Sequence, residues 1–194
     1  MITANPALAR FVTAVRTLME QTISLNADEE KLDQLSLMLE QVVDEITPHT
    51  DTSISRFNAA HLANKINECM PYNPISGFYN PLAPSIDFFR DNEKLIAEAY
   101  FSRIYEGPPD SIHGGFIAGV YDQVLATGAL IHGVGGPTAY LNINYKQLHP
   151  LEKPLRFSAY LKRVEGRKLY VAGDCYDGDQ LLSHADALFI KMDF

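Results

Sequence analysis

The chain has 194 residues, enough for one domain with an appendage or for two very small domains, and enough to bury a substantial core. Hydrophobic residues make up 46% of the chain and charged residues 21%, as in ordinary globular proteins. The formal net charge of −8 argues against nucleic acid as a partner.

The cysteine content and the apolar segments bear on the compartment. Cys69 and Cys175 form neither a disulfide framework nor a metal-ligand spacing, which favours a reducing compartment. The amino terminus does not have the pattern of a signal peptide. Residues 116–136 are apolar, but Asp122, Gln123 and five glycines favour a buried helix over a membrane span. We expect a cytoplasmic protein without membrane insertion.

The amino-terminal third predicts helices. Apolar residues recur at helical spacing in two segments, Leu8, Phe11, Val12, Val15, Leu18 and Met19 in residues 7–20, then Leu32, Leu35, Leu39, Val42, Val43 and Ile46. Asn26 or Asp28 would cap the second helix. The pattern predicts a helical hairpin in a helical extension of residues 1–69, with a third helix around 55–68. The stretch that follows is rich in proline and asparagine and gives no firm prediction.

From residue 94 onward the pattern changes to strands around one helix. "KLIAEAYFSRIY" alternates with period two, and residues 114–131 form a helix that is apolar nearly all round and so buried. Four strand-like segments follow in hairpin order, at 138–146, 155–163, 167–176 and 180–191. This order predicts an α+β domain in which an antiparallel sheet wraps around a central helix.

One charge stands out inside the apolar helix. Asp122 is the sole formally charged residue between Ser111 and Tyr145, with histidines counted as neutral. An unpaired buried carboxylate is costly, so Asp122 needs a reason to be there. It is either a catalytic group or a structural carboxylate held by backbone or by a histidine.

Three segments carry a family resemblance: "YEGPPDSIHGGFIAGVYD" at 105–122, "TAYLNINYKQLHPL" at 138–151, and "VEGRKLYV" with "ALFIKM" near the end. They resemble the hotdog-fold acyl-CoA thioesterases of the phenylacetyl-CoA-thioesterase-like family, which includes the mitochondrial enzymes related to the carboxyl-terminal modulator protein. The resemblance covers roughly residues 70–194. It implies a hotdog thioesterase domain over that range, an acyl-CoA substrate, and no cofactor apart from the coenzyme A portion of that substrate.

The resemblance also implies catalytic residues. The family motif has His-Gly-Gly with an acid nine positions after the histidine, and here His113 and Asp122 have that spacing. Asp122 would activate water, and the backbone amide of Gly115 or a neighbouring residue, within His113, Gly114 and Gly115, would stabilise the oxyanion. Thr138 would hold the water or the carboxylate.

Contacts to coenzyme A follow from the same resemblance. Asn144 and Lys146 would contact the coenzyme, and Arg167 with Lys168 would meet its nucleotide phosphates, a role that suits adjacent cations at a turn. Period-two alternation predicts one strand face with Thr138, Asn142, Asn144 and Lys146. The other four histidines, which have no metal-ligand spacing, are His61, His132, His149 and His184, so no metal site is expected.

Helix geometry adds an oligomeric expectation. At a rise of about 1.5 Å per residue, Asp122 lies roughly 10 Å from Gly115, too far for both to serve one carbonyl. A homodimer or a dimer of dimers would bring Asp122 of one chain to the helix terminus of another. Four alternatives stay open: direct attack by Asp122, a non-catalytic acyl-CoA or protein-binding module, a hydratase that uses His113, and a thioester carried by acyl carrier protein.

Overall fold

The computed structural model describes residues 5–51, 57, 61, 65–133 and 135–191. The helices are α1 (Pro6–Thr22), α2 (Glu29–Ile46) and α3 (Gly114–Leu130). The strands are β1 (Ser85–Asp91), β2 (Lys94–Tyr100), β3 (Thr138–Tyr145), β4 (Pro154–Glu165), β5 (Lys168–Asp177) and β6 (Gln180–Ile190).

The six strands form one antiparallel sheet in the order β1-β2-β4-β5-β6-β3. The central helix α3 packs against β2, β4, β5, β6 and β3, so the sheet wraps around it. The α+β architecture, with an antiparallel sheet around a central helix, is therefore confirmed. The core lies between this helix and the concave face of the sheet.

The predicted hairpin order is wrong at one connection. The turns between β4 and β5 and between β5 and β6 are hairpins as predicted, but β3 pairs with β6 and not with β4. The reason is that β4 already has β2 on one side and β5 on the other, so both of its edges are taken. The open edge of β6 accepts β3, which becomes an edge strand of the sheet.

Small residues let α3 lie very close to the sheet. A methyl group added at Gly128 would come within 2.7 Å of the Cβ atom of Ala159, and one added at Gly173 would come within 2.8 Å of Leu125. Packing this tight leaves no room for a larger side chain at either glycine. Helix α3 is thereby fixed in position, and the backbone from which the Asp122 side chain extends is fixed with it.

One face of α1 anchors it to the rest of the molecule. Val12 is buried, and one guanidinium nitrogen of Arg16 donates to the carbonyl oxygens of Gly77, Phe78 and Asn80 at 3.4, 3.2 and 2.8 Å. These carbonyls belong to the proline-rich and asparagine-rich segment whose structure could not be predicted from residue patterns. That segment packs on α3, where Asn73 donates to the side-chain oxygen of Gln123 at 2.9 Å.

Helix α2 occurs where predicted, and Asp28 caps it by accepting from the Lys31 amide at 2.8 Å. It contains no buried residue, and it does not pack along the length of α1. The two predicted helices are therefore present without forming a closed hairpin.

The predicted third helix around 55–68 lies largely outside the described residues, and its described end, Ile66–Glu68, is a single 3₁₀ turn. None of the helices in the described ranges combines the length and the apolarity that crossing a membrane requires.

Candidate functional site

The imidazole of His113 caps the amino terminus of α3. Its Nδ1 atom accepts a hydrogen bond from the backbone amide of Gly115 at 3.0 Å. The backbone amide of His113 in turn donates to the carbonyl of Tyr105 at 2.8 Å. The Gly115 amide, one of the predicted oxyanion donors, is therefore already engaged within the chain.

The amide of Gly114 is in a different situation. The amides of Phe116 and Ile117 donate to the carbonyl of His113 at 3.0 and 3.4 Å, whereas the Gly114 amide finds no acceptor among the residues that the structure describes. Gly114 is also exposed and is the first residue of the helix, where the positive end of the dipole lies. Of the predicted amides, Gly114 is thus the one available to an external oxygen.

A tyrosine that is not among the predicted site residues contacts this terminus. The hydroxyl of Tyr145 donates to the carbonyl oxygen of Gly114 at 2.9 Å. Partial burial raises the pKa of the Tyr145 phenol above its usual value, so the hydroxyl keeps its proton at neutral pH. The alternation of residues along β3 gives no sign of this contact.

A buried polar network lies behind Tyr145. The ring of His149 packs edge-on against the Tyr145 ring, with centroids 6.0 Å apart, and its Nε2 lies 2.8 Å from the hydroxyl of Ser183. The Ser183 hydroxyl also lies 2.8 Å from the hydroxyl of Tyr121. Burial lowers the pKa of His149 to about 4, so its ring is neutral at physiological pH. The backbone carbonyl of His149 accepts from the Ile112 amide at 2.8 Å, which ties this network to the segment that leads into α3.

Asp122 lies two turns further along α3 and is half-buried. The hydroxyl of Thr138 donates to its Oδ1 atom at 2.6 Å. In the described part of the chain no group bonds to Oδ2, so this oxygen is available to a water molecule. Partial exposure and one strong hydrogen bond account for a carboxylate in an otherwise apolar helix.

The predicted common face of Thr138, Asn142 and Asn144 is wrong, because the strand has an irregular register between Thr138 and Tyr140. Thr138 lies opposite Phe189, whose side chain is buried against the helix. Asn142 and Asn144 lie opposite Asp186 and His184, on the outer face of the sheet. One extra residue in a strand reverses the alternation beyond it, so period-two counting could not reveal that Thr138 faces Asp122.

The predicted coenzyme contacts fall into two groups. Lys168 is the first residue of β5. The next residue, Leu169, pairs with Phe189 of β6, which in turn pairs with Thr138 of β3. Two strand spacings therefore separate Lys168 from the start of β3 near Asp122, a distance on the order of 10 Å. Arg167 precedes it in the turn and donates through Nε to the Lys191 carbonyl at 3.1 Å.

Asn144 and Lys146 lie at the other end of β3, near Tyr145 and the helix terminus. Both are exposed. They are about 20 Å from Thr138 along the strand. Within one chain, the predicted site residues therefore form two half-sites, one around Asp122 and the other around Gly114.

A further cluster on the outer face of the sheet has no predicted role. His184 lies between Asp174 and Asp186, at 2.8 and 3.1 Å, and Lys162 pairs with Asp186 at 3.0 Å. Among residues 5–51, 57, 61, 65–133 and 135–191, no group of three or more His, Cys, Asp or Glu side chains could hold a metal ion.

Comparison with known proteins gives matches in both sequence and structure. The chain is 37% identical over 109 residues to the mouse protein named acyl-coenzyme A thioesterase THEM4, covering 55% of this chain and 47% of that protein. It is 34% identical over 99 residues to human acyl-coenzyme A thioesterase THEM5, covering 50% and 40%. The crystal structure of RHA08564, a thioesterase superfamily protein, superposes with a TM-score of 0.84 at 25% identity, covering 97% of this chain and 92% of that one.

The chain therefore has the fold of this thioesterase superfamily protein, and it is similar in sequence to the two curated acyl-CoA thioesterases. Another structure with this fold is the Streptococcus mutans protein smu.793 bound to acetyl CoA, at 16% identity and a TM-score of 0.53, covering 56% of this chain and 89% of that one. No family model matches the chain. The chain spans about half the length of the curated relatives that it matches.

Proposed function

We propose that this hotdog thioesterase hydrolyses acyl-CoA thioesters, with Asp122 as general base for water and the amide of Gly114 as oxyanion donor. The observation that supports the proposal most strongly is that one helix carries two polar groups, each positioned for one part of the reaction. One is a carboxylate oriented by Thr138 at 2.6 Å, and the other is an exposed helix-terminal amide without an acceptor among the described residues.

Each group suits one part of thioester hydrolysis. A carboxylate with one oxygen bonded and the other open can take a proton from water as the water attacks the carbonyl carbon, which typically contributes about 10² to 10⁴ in rate. The negative charge that then develops on the carbonyl oxygen needs a donor, and an amide at a helix amino terminus is well suited to this. Collapse of the tetrahedral intermediate expels the thiolate of coenzyme A.

Two copies of the chain are needed, because Asp122 and Gly114 are eight residues apart on α3, or about 12 Å. Strand β3 links each half-site to the edge of the sheet: Thr138 at its start holds Asp122, and Tyr145 at its end holds Gly114. If two β3 strands pair antiparallel about a two-fold axis, the start of one meets the end of the other. The Asp122 half-site of one copy then faces the Gly114 half-site of the second, twice per dimer.

The same pairing would bring the predicted coenzyme contacts together. Asn144 and Lys146 of one copy would lie near Thr138 of the other, on the side where Arg167 and Lys168 supply positive charge. Phosphate groups favour such a set of cations. The substrate class is also supported by the names of the relatives, which are acyl-CoA thioesterases, and by the smu.793 protein with its bound acetyl CoA.

The direct test is hydrolysis of an acyl-CoA panel, from acetyl and phenylacetyl to palmitoyl, by the purified chain, with release of free thiol as the readout. We expect turnover of at least one member, and the panel would identify the acyl length. A folded, dimeric protein that binds acyl-CoA without hydrolysing any member would contradict the proposal and favour a binding module.

A further inference from the structure

The peptide group between Gly114 and Gly115 is held at both of its polar atoms. Its carbonyl oxygen accepts from the Tyr145 hydroxyl at 2.9 Å, and its N–H donates to Nδ1 of His113 at 3.0 Å. The peptide group before it is held as well, because the carbonyl of His113 accepts from the Phe116 amide at 3.0 Å. The N–H of Gly114 belongs to this preceding peptide group, and the two peptide planes meet at the Cα atom of Gly114. With both planes held, the N–H of Gly114 keeps one direction.

We propose that Tyr145 is a positioning residue for hydrolysis, whose hydroxyl fixes the direction of the Gly114 amide through the carbonyl of that residue. The inference rests on the proposed function, since it assigns the support for the oxyanion donor of that site. Tyr145 does not touch the substrate in this role. It acts through Gly114, and its effect is confined to the geometry of the transition state.

The hydroxyl group of Tyr145, more than its ring, is responsible for positioning Gly114. A Cβ atom built on Gly114 would lie 3.7 Å from the hydroxyl oxygen and 3.8 Å from Cζ, so the ring already rests over Gly114 at van der Waals distance. Removal of the oxygen would leave this packing in place and delete only the hydrogen bond. A phenylalanine at this position therefore separates the two contributions.

Tyr145 is itself held from several sides, which a positioning residue requires. It ends β3 opposite Ser183, and the next two amides, of Lys146 and Gln147, both donate to the carbonyl of Leu182, at 2.9 and 3.0 Å. Its ring packs edge-on against His149, which is buried and bonded to Ser183. The hydroxyl is thus presented to α3 from a rigid frame.

The kinetic test compares Tyr145→Phe with a matched control, Tyr100→Phe. Tyr100 lies on β2, away from the β3 edge of the sheet, is 44% exposed, and no described residue bonds to its hydroxyl. We expect Tyr145→Phe to lower kcat for acyl-CoA hydrolysis roughly three- to tenfold with KM unchanged, because one hydrogen bond that acts in the transition state is lost. Tyr100→Phe should match the parent in both constants. Equal kcat for Tyr145→Phe and the parent would overturn the proposal while leaving the proposed function intact.

A second readout does not depend on turnover. In ¹⁵N-labelled protein, we expect Tyr145→Phe to shift the amide resonances of Gly114 and Gly115 and to speed hydrogen exchange at Gly115 roughly threefold or more. The control Tyr100→Phe should leave both resonances in place. Unchanged glycine resonances in Tyr145→Phe would also overturn the proposal. Absence of hydrolysis by the parent would instead count against the proposed function, and the resonances would still report on Tyr145.

Discussion

We expect replacement of Asp122 by asparagine to lower acyl-CoA hydrolysis by about 10² to 10⁴ and to leave the fold and the oligomeric state of the parent unchanged. The amide oxygen of asparagine can still accept a hydrogen bond from the Thr138 hydroxyl, which donates to Oδ1 of Asp122 at 2.6 Å. An amide cannot take a proton from water, so the chemical step loses its base. The measurement is release of free thiol under saturating substrate, together with thermal unfolding and the mass of the assembly.

The matched control is Asp87→Asn, the same change at an exposed aspartate on β1, at the opposite edge of the sheet from β3. It should retain parental kcat. If the kcat of Asp122→Asn stays within about threefold of the control, the loss is too small for removal of a general base. Single-turnover hydrolysis in ¹⁸O water distinguishes the base from a nucleophile: label in the released acid alone supports the base, and label in Asp122 indicates direct attack.

The variant Gly114→Pro should lose about 10² to 10³ in kcat, the cost of removing one oxyanion donor. Proline is well tolerated as the first residue of a helix, where the missing N–H has no intrahelical partner. The residue before it, His113, already has φ −60° and ψ 130°, which is the conformation that a following proline requires. The substitution therefore deletes the amide hydrogen with little disturbance of α3.

The control for added bulk is Gly114→Ala, which keeps the amide hydrogen. Its methyl group would lie at ordinary van der Waals distance from the Tyr145 ring, at 3.7 to 4.0 Å. We expect kcat of the alanine variant to stay within about tenfold of the parent, since only the approach of the substrate is narrowed. If the alanine and proline variants lose activity equally, the amide hydrogen of Gly114 is not the oxyanion donor.

The parts of the fold that the sequence predicted are those in which one residue pattern has one structural solution. The helix at Gly114–Leu130 is apolar nearly all round and could only be buried. The strands after it alternate, and the last three are joined by turns that contain glycine. Strand β1 (Ser85–Asp91) was not predicted. Its buried Ile86 and Phe88 alternate with exposed residues, but the apolar Phe89 is exposed too, which interrupts the hydrophobic pattern. The prolines and asparagines before the strand also hide where it begins.

The site was predicted less completely, because its geometry depends on conformation. The spacing of His113 and Asp122 is visible in the sequence, whereas capping of Gly115 by the imidazole of His113 is not, and this capping decides which glycine amide is left free. The register irregularity that turns Thr138 toward Asp122 depends on how β3 pairs with β6. The contact of Tyr145 with Gly114 joins residues 31 positions apart, which no local pattern can indicate.

We propose that two chains build each active site, and mixed dimers can show whether they do. Asp122→Asn and Gly114→Pro subunits, each with its own affinity tag, are co-expressed, and the heterodimer is purified through both tags. One site then combines Asp122 of one subunit with Gly114 of the other, while the second site carries both changes. We predict roughly half of the parental kcat per dimer, because one of two equivalent sites is intact. A heterodimer as inactive as either variant alone would contradict an active site shared between two chains.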